Sequence, residues 1–413
     1  MQKQKISIMK TLTAQKSERQ YFIDWLRIFL IFSVYLFHIG MFFNTWDWHV
    51  KNPTGYDGLL TKLMLFLHEW RMPLLFLISG AGTYYALGKR TPGRYLGERF
   101  KRLMIPFIVG IFVLVPVQVY LEKADQYNSL LSFYPHMFDG IYPTGNFSWH
   151  HLWFILYLFV ISLFISPFLK FFRSNGYLRF SIWLEEFAQR PLSLNVVAIL
   201  LVASQGLLRP YFPEDTHALI NDWASMAFYL IFFLAGFMLL SNQNIIESIR
   251  KQKKLYLAEA GLATVFLFSY PHLFAGESAA YLARGISSIF LAWSCALAAI
   301  GYARQYLNHN NRFRKVANEA IYPFYLLHQP IILIMGFMLN KMAISDLSRL
   351  VLLTASSFTI TCGLYWFVVR PFKLTRVIFG MKPLSPRKKT GTGARELGLP
   401  LDSARNKQER VAV

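Results

Sequence analysis

The 413-residue chain is 54% hydrophobic and only 16% charged, yet it carries a formal charge of +21. Soluble chains hold roughly 25% charged residues, and 17% aromatics spread over apolar runs from end to end exceed what a soluble core of this size can bury. A soluble enzyme, a disordered chain and a collagen-like fibre are excluded, which leaves an all-α polytopic membrane protein.

Runs of about 20 apolar residues cross the hydrocarbon core as helices. Ten such runs are predicted, at 22–43, 60–87, 103–121, 150–172, 194–209, 223–240, 255–274, 285–302, 321–339 and 348–369. The first is too long and too polar for a cleaved signal peptide, since it contains Arg27 and His38. Lys and Arg alternate between connections. The N-terminal arm, the segments 88–102, 170–190, 241–254 and 303–315, and the C-terminal tail hold 34 of the 43. By the positive-inside rule both termini are cytoplasmic, and the basic charge describes topology rather than a nucleic-acid partner. The expected organisation is a basic arm at 1–20, a transmembrane domain at 21–372 and a basic tail at 373–413. The tail is expected to be disordered and to rest on anionic membrane lipid. The outer loop 122–148, aromatic and thin in charge, is expected to form an ordered lip. Cys295 and Cys362 sit inside apolar runs and offer no disulfide framework, and no metal-ligand spacing occurs.

Ionisable side chains inside a span cost roughly 2.5–3.5 kcal/mol and are functional candidates by default. In the first span Asp24 and Arg27 occupy the first turn, where an i,i+3 ion pair needs no function. His38 lies eleven residues beyond Arg27, roughly 16 Å along the axis and about 20° round from it, so the two share one face. Two readings of His38 stand: a titratable group near the outer side, or a neutral histidine bonded to a neighbouring helix. The second span brings His68, Glu69 and Arg71 to a comparable depth, with Pro73 behind them. Glu69 and Arg71 either serve a site or neutralise each other. The fourth span opens Trp149-His150-His151-Leu152-Trp153, where an aromatic belt also accounts for the tryptophan. His328 in the ninth is expected to be a packed, hydrogen-bonded histidine beside a proline kink. Arg99 and Arg102, before the third span, read as a positive-inside cluster unless a polyanion approaches the inner end of the first span.

Several of these segments together resemble the acyltransferase 3 family of integral-membrane acyltransferases. Arg27 followed by His38 matches that family's Arg, ten residues, His motif. Arg99-Phe100-Lys101-Arg102 matches its Arg-x-x-Arg motif, while Arg71-Met72-Pro73, Leu152-Trp153-Phe154 and Tyr325-Leu326-Leu327-His328 look like its second-, fourth- and ninth-span motifs. The resemblance covers about 20–370, and within the family the chain looks most like the proteins that succinylate periplasmic glucans. It implies transfer of an acyl group, commonly acetyl or succinyl, from cytoplasmic acyl-CoA to a hydroxyl of an extracytoplasmic glycan or lipid-linked sugar in the cell inner membrane. It also implies that His38 is the catalytic histidine and that Arg27, Arg99 and Arg102 serve the acyl-CoA donor. No fused esterase-like domain accompanies the spans, so one polypeptide suffices or a separate partner assists.

On that basis His38 acts as general base or carries the acyl group itself. Arg71 or His151 is the candidate oxyanion donor, and Glu69 orients an imidazole or balances Arg71. His68, His151, Trp153 and His328 are candidates for substrate binding. The rival class is a secondary transporter or flippase, in which buried His, Glu and Arg form a proton relay.

Overall fold

Apolar helices dominate because a backbone in hydrocarbon must satisfy its own polar groups, and a helix does so within one segment. The computed structural model describes residues 20–87, 90–274 and 276–383. The expected arm at 1–19 and the tail from 384 lie outside them. Among the described residues there is no strand, only two isolated bridges, Asn44 with Tyr56 and Ile141 with Phe147. In chain order the principal helices are α1 (Tyr21–Phe43), α2 (Leu59–Leu87), α3 (Pro92–Glu122), α4 (His150–Leu169), α5 (Asn175–Ala188), α6 (Ser193–Leu208), α7 (Trp223–Leu239), α8 (Gln243–Leu273), α9 (Glu277–Tyr306), α10 (Arg312–Asn340), α11 (Asp346–Val369) and α12 (Lys373–Ile378).

Seven of these, α1 to α4 and α9 to α11, are long and apolar enough to cross a membrane. The chain is a multi-pass, all-α membrane protein. The sequence predicts ten crossings, and each predicted run falls on a helix, but three lack the length or apolarity to qualify alone. Instead α5 and α6 form a pair bent by 119°, and α7 and α8 a pair bent by 109°; counting each pair as one span gives nine. The first bend lies at Leu192, whose φ of 55° takes the backbone out of the helix.

The difference arises because basic segments read as loops are helical. Residues Pro92–Arg99, α5 and the first half of α8 carry little apolar run but are well capped. The Thr91 hydroxyl accepts from the Arg94 amide at 3.4 Å, the Ser174 hydroxyl from Tyr177 at 3.2 Å, and the Asn242 side chain from Asn244 at 2.9 Å. Packing also continues past the boundary expected at 372. Arg376 in α12 is buried and donates to Glu319 at 2.8 Å, so the packed unit extends through Lys382.

Two contacts set the frame around the site. Helices α2 and α7 meet through reciprocal glycines: a Cβ on Gly80 would lie 1.9 Å from the Phe233 carbonyl oxygen, and one on Gly236 would lie 1.8 Å from that of Leu77. Small residues let helix backbones approach this closely in lipid, where association relies on packing rather than on the hydrophobic effect. Helix α1 packs on α2, α9, α10 and α11. Its inner end is tied to α10 by a buried ion pair between Asp24 and Arg314, and Asp24 also meets Arg27 at 3.5 Å. The i,i+3 pair read from the sequence is therefore present, as part of a three-residue network.

The expected lip is built from polar cross-links. Lys123 Nζ donates to the Gly145 carbonyl at 3.0 Å and to Asn146 Oδ1 at 2.8 Å, and Asn146 Nδ2 donates to Tyr127 Oη at 3.0 Å. Phe133 is fully buried beneath them.

Candidate active site

The candidate side chains form two clusters along α1 and α10. At one end, Arg27 and Arg99 converge on consecutive residues of α2. A Cβ on Gly82 would sit 3.4 Å from Arg27 Nη2, while Arg99 Nη2 donates to Thr83 Oγ1 at 2.5 Å and its Nε to Tyr95 Oη at 3.1 Å. Arg102 is exposed, on a π-helical turn at Phe100–Met104. Such turns often mark functional positions because they re-aim a side chain without ending the helix. Tyr322 of α10 neighbours both Arg99 and Arg102, and its hydroxyl is buried with no partner among the described residues. Thus Arg27 of α1 and the Arg99–Arg102 turn of α3 approach the same stretch of α2 and α10, with the buried Tyr322 hydroxyl beside Arg99 and Arg102.

At the other end His38 Nδ1 lies 2.8 Å from His328 Nε2, and His328 Nδ1 lies 2.7 Å from the Tyr325 carbonyl oxygen. A carbonyl only accepts, so His328 Nδ1 carries a proton. With both rings neutral, His328 Nε2 is then the acceptor and His38 Nδ1 the donor. The unprotonated nitrogen of His38 is therefore Nε2, directed away from its partner. His328 is fully buried whereas His38 is partly exposed. A buried histidine thus fixes the tautomer of a partly exposed one, which leaves a single unprotonated nitrogen at a set position. The Trp48 ring stacks on His38, centroids 5.9 Å apart.

The remaining predicted residues divide. Arg71 is buried, its guanidinium lies over the Phe37 ring at 3.4 Å, and its Nε and Nη1 have no partner among the described residues. His151 is also buried, but its Nε2 donates to the Leu326 carbonyl at 3.2 Å. A neutral His151 thus presents only an acceptor at Nδ1, so Arg71 is the better oxyanion donor of the two. Glu69 faces Ser288 and Arg284 of α9. His68 lies near Phe37 and Trp46. Trp153 is stacked by His217 at 4.0 Å, which occupies one face of the indole.

Sequence reasoning missed the residues that connect these groups. His217 belongs to the loop between α6 and α7. Burial holds its imidazole below the ordinary histidine range, with the Asp215 and Asp222 carboxylates opposing that shift. Asp222 accepts from Tyr157 Oη at 2.6 Å and from the His217 amide at 3.0 Å, pinning the loop to α4. Lys51 closes the end of α1, its Nζ donating to the carbonyls of Met41 at 2.7 Å and Trp46 at 2.6 Å. Burial pushes the pKa of Lys51 down to about 8, with Asp47 opposing. Composition marks none of these residues, since they act through contacts between separate helices.

Comparison with known proteins agrees with the geometry. The acyltransferase domain of the acyltransferase 3 family matches residues 20–366. The chain belongs to that family. It is a membrane-embedded O-acyltransferase. Among curated relatives it is similar to glucans biosynthesis protein C of Salmonella paratyphi B (strain ATCC BAA-1250 / SPB7), of Salmonella enteritidis PT4 and of Salmonella choleraesuis, with 21% identity over 345 residues in each case. The match covers 79% of this chain and 85% of each relative. No solved structure matches the acyltransferase significantly.

Proposed function

We propose that the acyltransferase moves an acyl group, acetyl, succinyl or similar, from cytoplasmic acyl-CoA to a hydroxyl of an extracytoplasmic glycan or lipid-linked sugar. The similarity to glucans biosynthesis protein C favours a glucan as the acceptor. The observation that carries the reading is His38, oriented by His328 of α10 and set on the same face of α1 as Arg27. Arg27, Arg99 and Arg102 hold the donor phosphates, for which guanidinium forks are suited. The thioester then reaches His38, with Tyr322 along its path.

As the acceptor oxygen attacks the thioester carbonyl, His38 Nε2 takes the hydroxyl proton. The unpartnered donors of Arg71 support it as the group that stabilises the oxyanion. The carbon–sulfur bond breaks, the imidazolium returns its proton to the leaving thiolate, and the products are the ester and free coenzyme A. Positioned general-base catalysis contributes typically 10²–10⁴-fold. The same Nε2 is equally suited to attack the thioester first and pass the acyl group on. In this reading the ten apolar runs make ten crossings with both termini cytoplasmic, supported by the alternation of basic connections, and the membrane is the cell inner membrane.

Radiolabelled acyl-CoA offered to proteoliposomes tests the proposal. Label transferred to a glucan acceptor is the expected outcome; sugar movement without label would assign the chain to transport instead. Labelled protein isolated without acceptor identifies the acyl-histidine route.

A further inference from the structure

Three side chains from separate segments meet beside this site in a way the acyl-transfer chemistry does not use. His49 lies in the loop between α1 and α2, Glu122 ends α3, and His150 begins α4. His49 Nδ1 is 2.8 Å from Glu122 Oε2, and the His49 and His150 rings lie 4.2 Å apart at 68°. One ligand-type atom from each residue falls within 4.8 Å of the other two.

We propose that His49, Glu122 and His150 bind a divalent metal ion of the zinc class. Two imidazoles with one carboxylate are a recurrent zinc donor set, and they leave a fourth position open. Zinc–ligand distances near 2.0–2.2 Å separate tetrahedral ligand atoms by about 3.4 Å. The observed spacings, 2.8 Å between His49 and Glu122 and no more than 4.8 Å among the three, bracket that value. Each ligand is already oriented. Tyr142 donates its hydroxyl to Glu122 Oε1 at 3.1 Å, leaving Oε2 for the metal in the manner of an outer-shell partner.

His150 supplies the observation that a simple His49–Glu122 ion pair leaves unexplained. Its Nε2 is buried and makes no hydrogen bond among the described residues. A buried polar nitrogen without a partner is costly, and a metal bond removes that cost. The residue is held with φ of 38°, and its amide donates to Ser148 Oγ at 3.1 Å. The ligands adjoin the acyl-transfer site: His49 follows Trp48, which stacks on His38, and His150 precedes His151, which bonds to α10. Resting on the function proposed above, the open position offers a point of attachment for acceptor hydroxyls. Metal binding itself does not depend on that function.

The test uses the full chain, purified in detergent without a polyhistidine tag, stripped with chelator and dialysed against Zn(II) or Co(II). Mass spectrometry of the wild type should find about one metal per chain, and the Co(II) form should show the visible absorption of a tetrahedral site. His49→Ala, Glu122→Gln and His150→Ala should each lose stoichiometric binding. Tyr142→Phe, a milder change that keeps the ligands, should weaken affinity about tenfold or more. A wild type that takes up no metal above the buffer blank overturns the proposal, as does retention of full stoichiometry by Glu122→Gln and His150→Ala. Neither readout requires turnover, so failure here leaves the acyltransferase reading intact, and loss of acyl transfer leaves the metal site intact.

Discussion

The arginine cluster and the histidine cluster differ in how they are built. Arg99 and Arg102 lie three residues apart in sequence, and Arg27 approaches Gly82 of α2 next to the Thr83 that Arg99 bonds. The His38–His328 pair joins residues 290 apart and has its tautomer set by a backbone carbonyl. Charge attraction tolerates long, adaptable side chains, whereas proton transfer needs one nitrogen at one position. In the proposed function the first cluster binds the donor and the second performs the chemistry. Their perturbation should therefore separate in kinetics.

The sharpest break of this contrast is His38→Ala. Transfer should fall by about 10²–10⁴-fold while membrane insertion and abundance are unchanged; an active variant would remove the histidine cluster from the chemistry. The largest effect on the fold is expected from Asp24→Asn, which leaves Arg314 buried without its carboxylate. Such losses cost about 3–5 kcal/mol, so thermal melting in detergent should drop, and Asp24→Leu combined with Arg314→Leu should recover part of it.

His328→Ala comes next. A tenfold to hundredfold fall in kcat is expected, with donor KM unchanged, and the double variant with His38→Ala should be no worse than His38→Ala alone, since the two act as one unit. A double variant that is additive would separate the pair. Arg99→Ala with Arg102→Ala should raise donor KM about tenfold, near 1.4 kcal/mol, while acceptor KM holds. An unchanged donor KM would reduce those arginines to topology. Smallest is Tyr322→Phe, expected to raise donor KM by two- to fivefold through loss of one hydrogen bond worth about 0.5–1 kcal/mol.

How much was legible in the sequence varies with locality. The Arg27–His38 face follows from helix periodicity, and the Asp24–Arg27 pair from i,i+3 spacing; both are present. The seven long spans were legible as apolar runs, but α5 and the first half of α8 were not, because a capped polar helix leaves no hydropathy signal. His328 was expected to be packed and hydrogen-bonded, and it is, yet its partner was hidden. Nothing in the spacing of α1 and α10 states that their histidines meet in one plane. Glu69 shows the same limit from the other side: adjacent in sequence to His68 and near Arg71, it turns toward α9 instead.

The sequence by itself determined the solvent this protein is built for, the alternation of its basic connections and the helix that carries Arg27 and His38. Those properties depend on composition and on the 3.6-residue repeat, which act within one segment. Only the tertiary structure decided which nitrogen of His38 is free, which of Arg71 and His151 has donors to spare, and that His49, Glu122 and His150 stand together. Each of those outcomes rests on contacts between helices, where a shift of one residue in register would turn the same side chains away from one another.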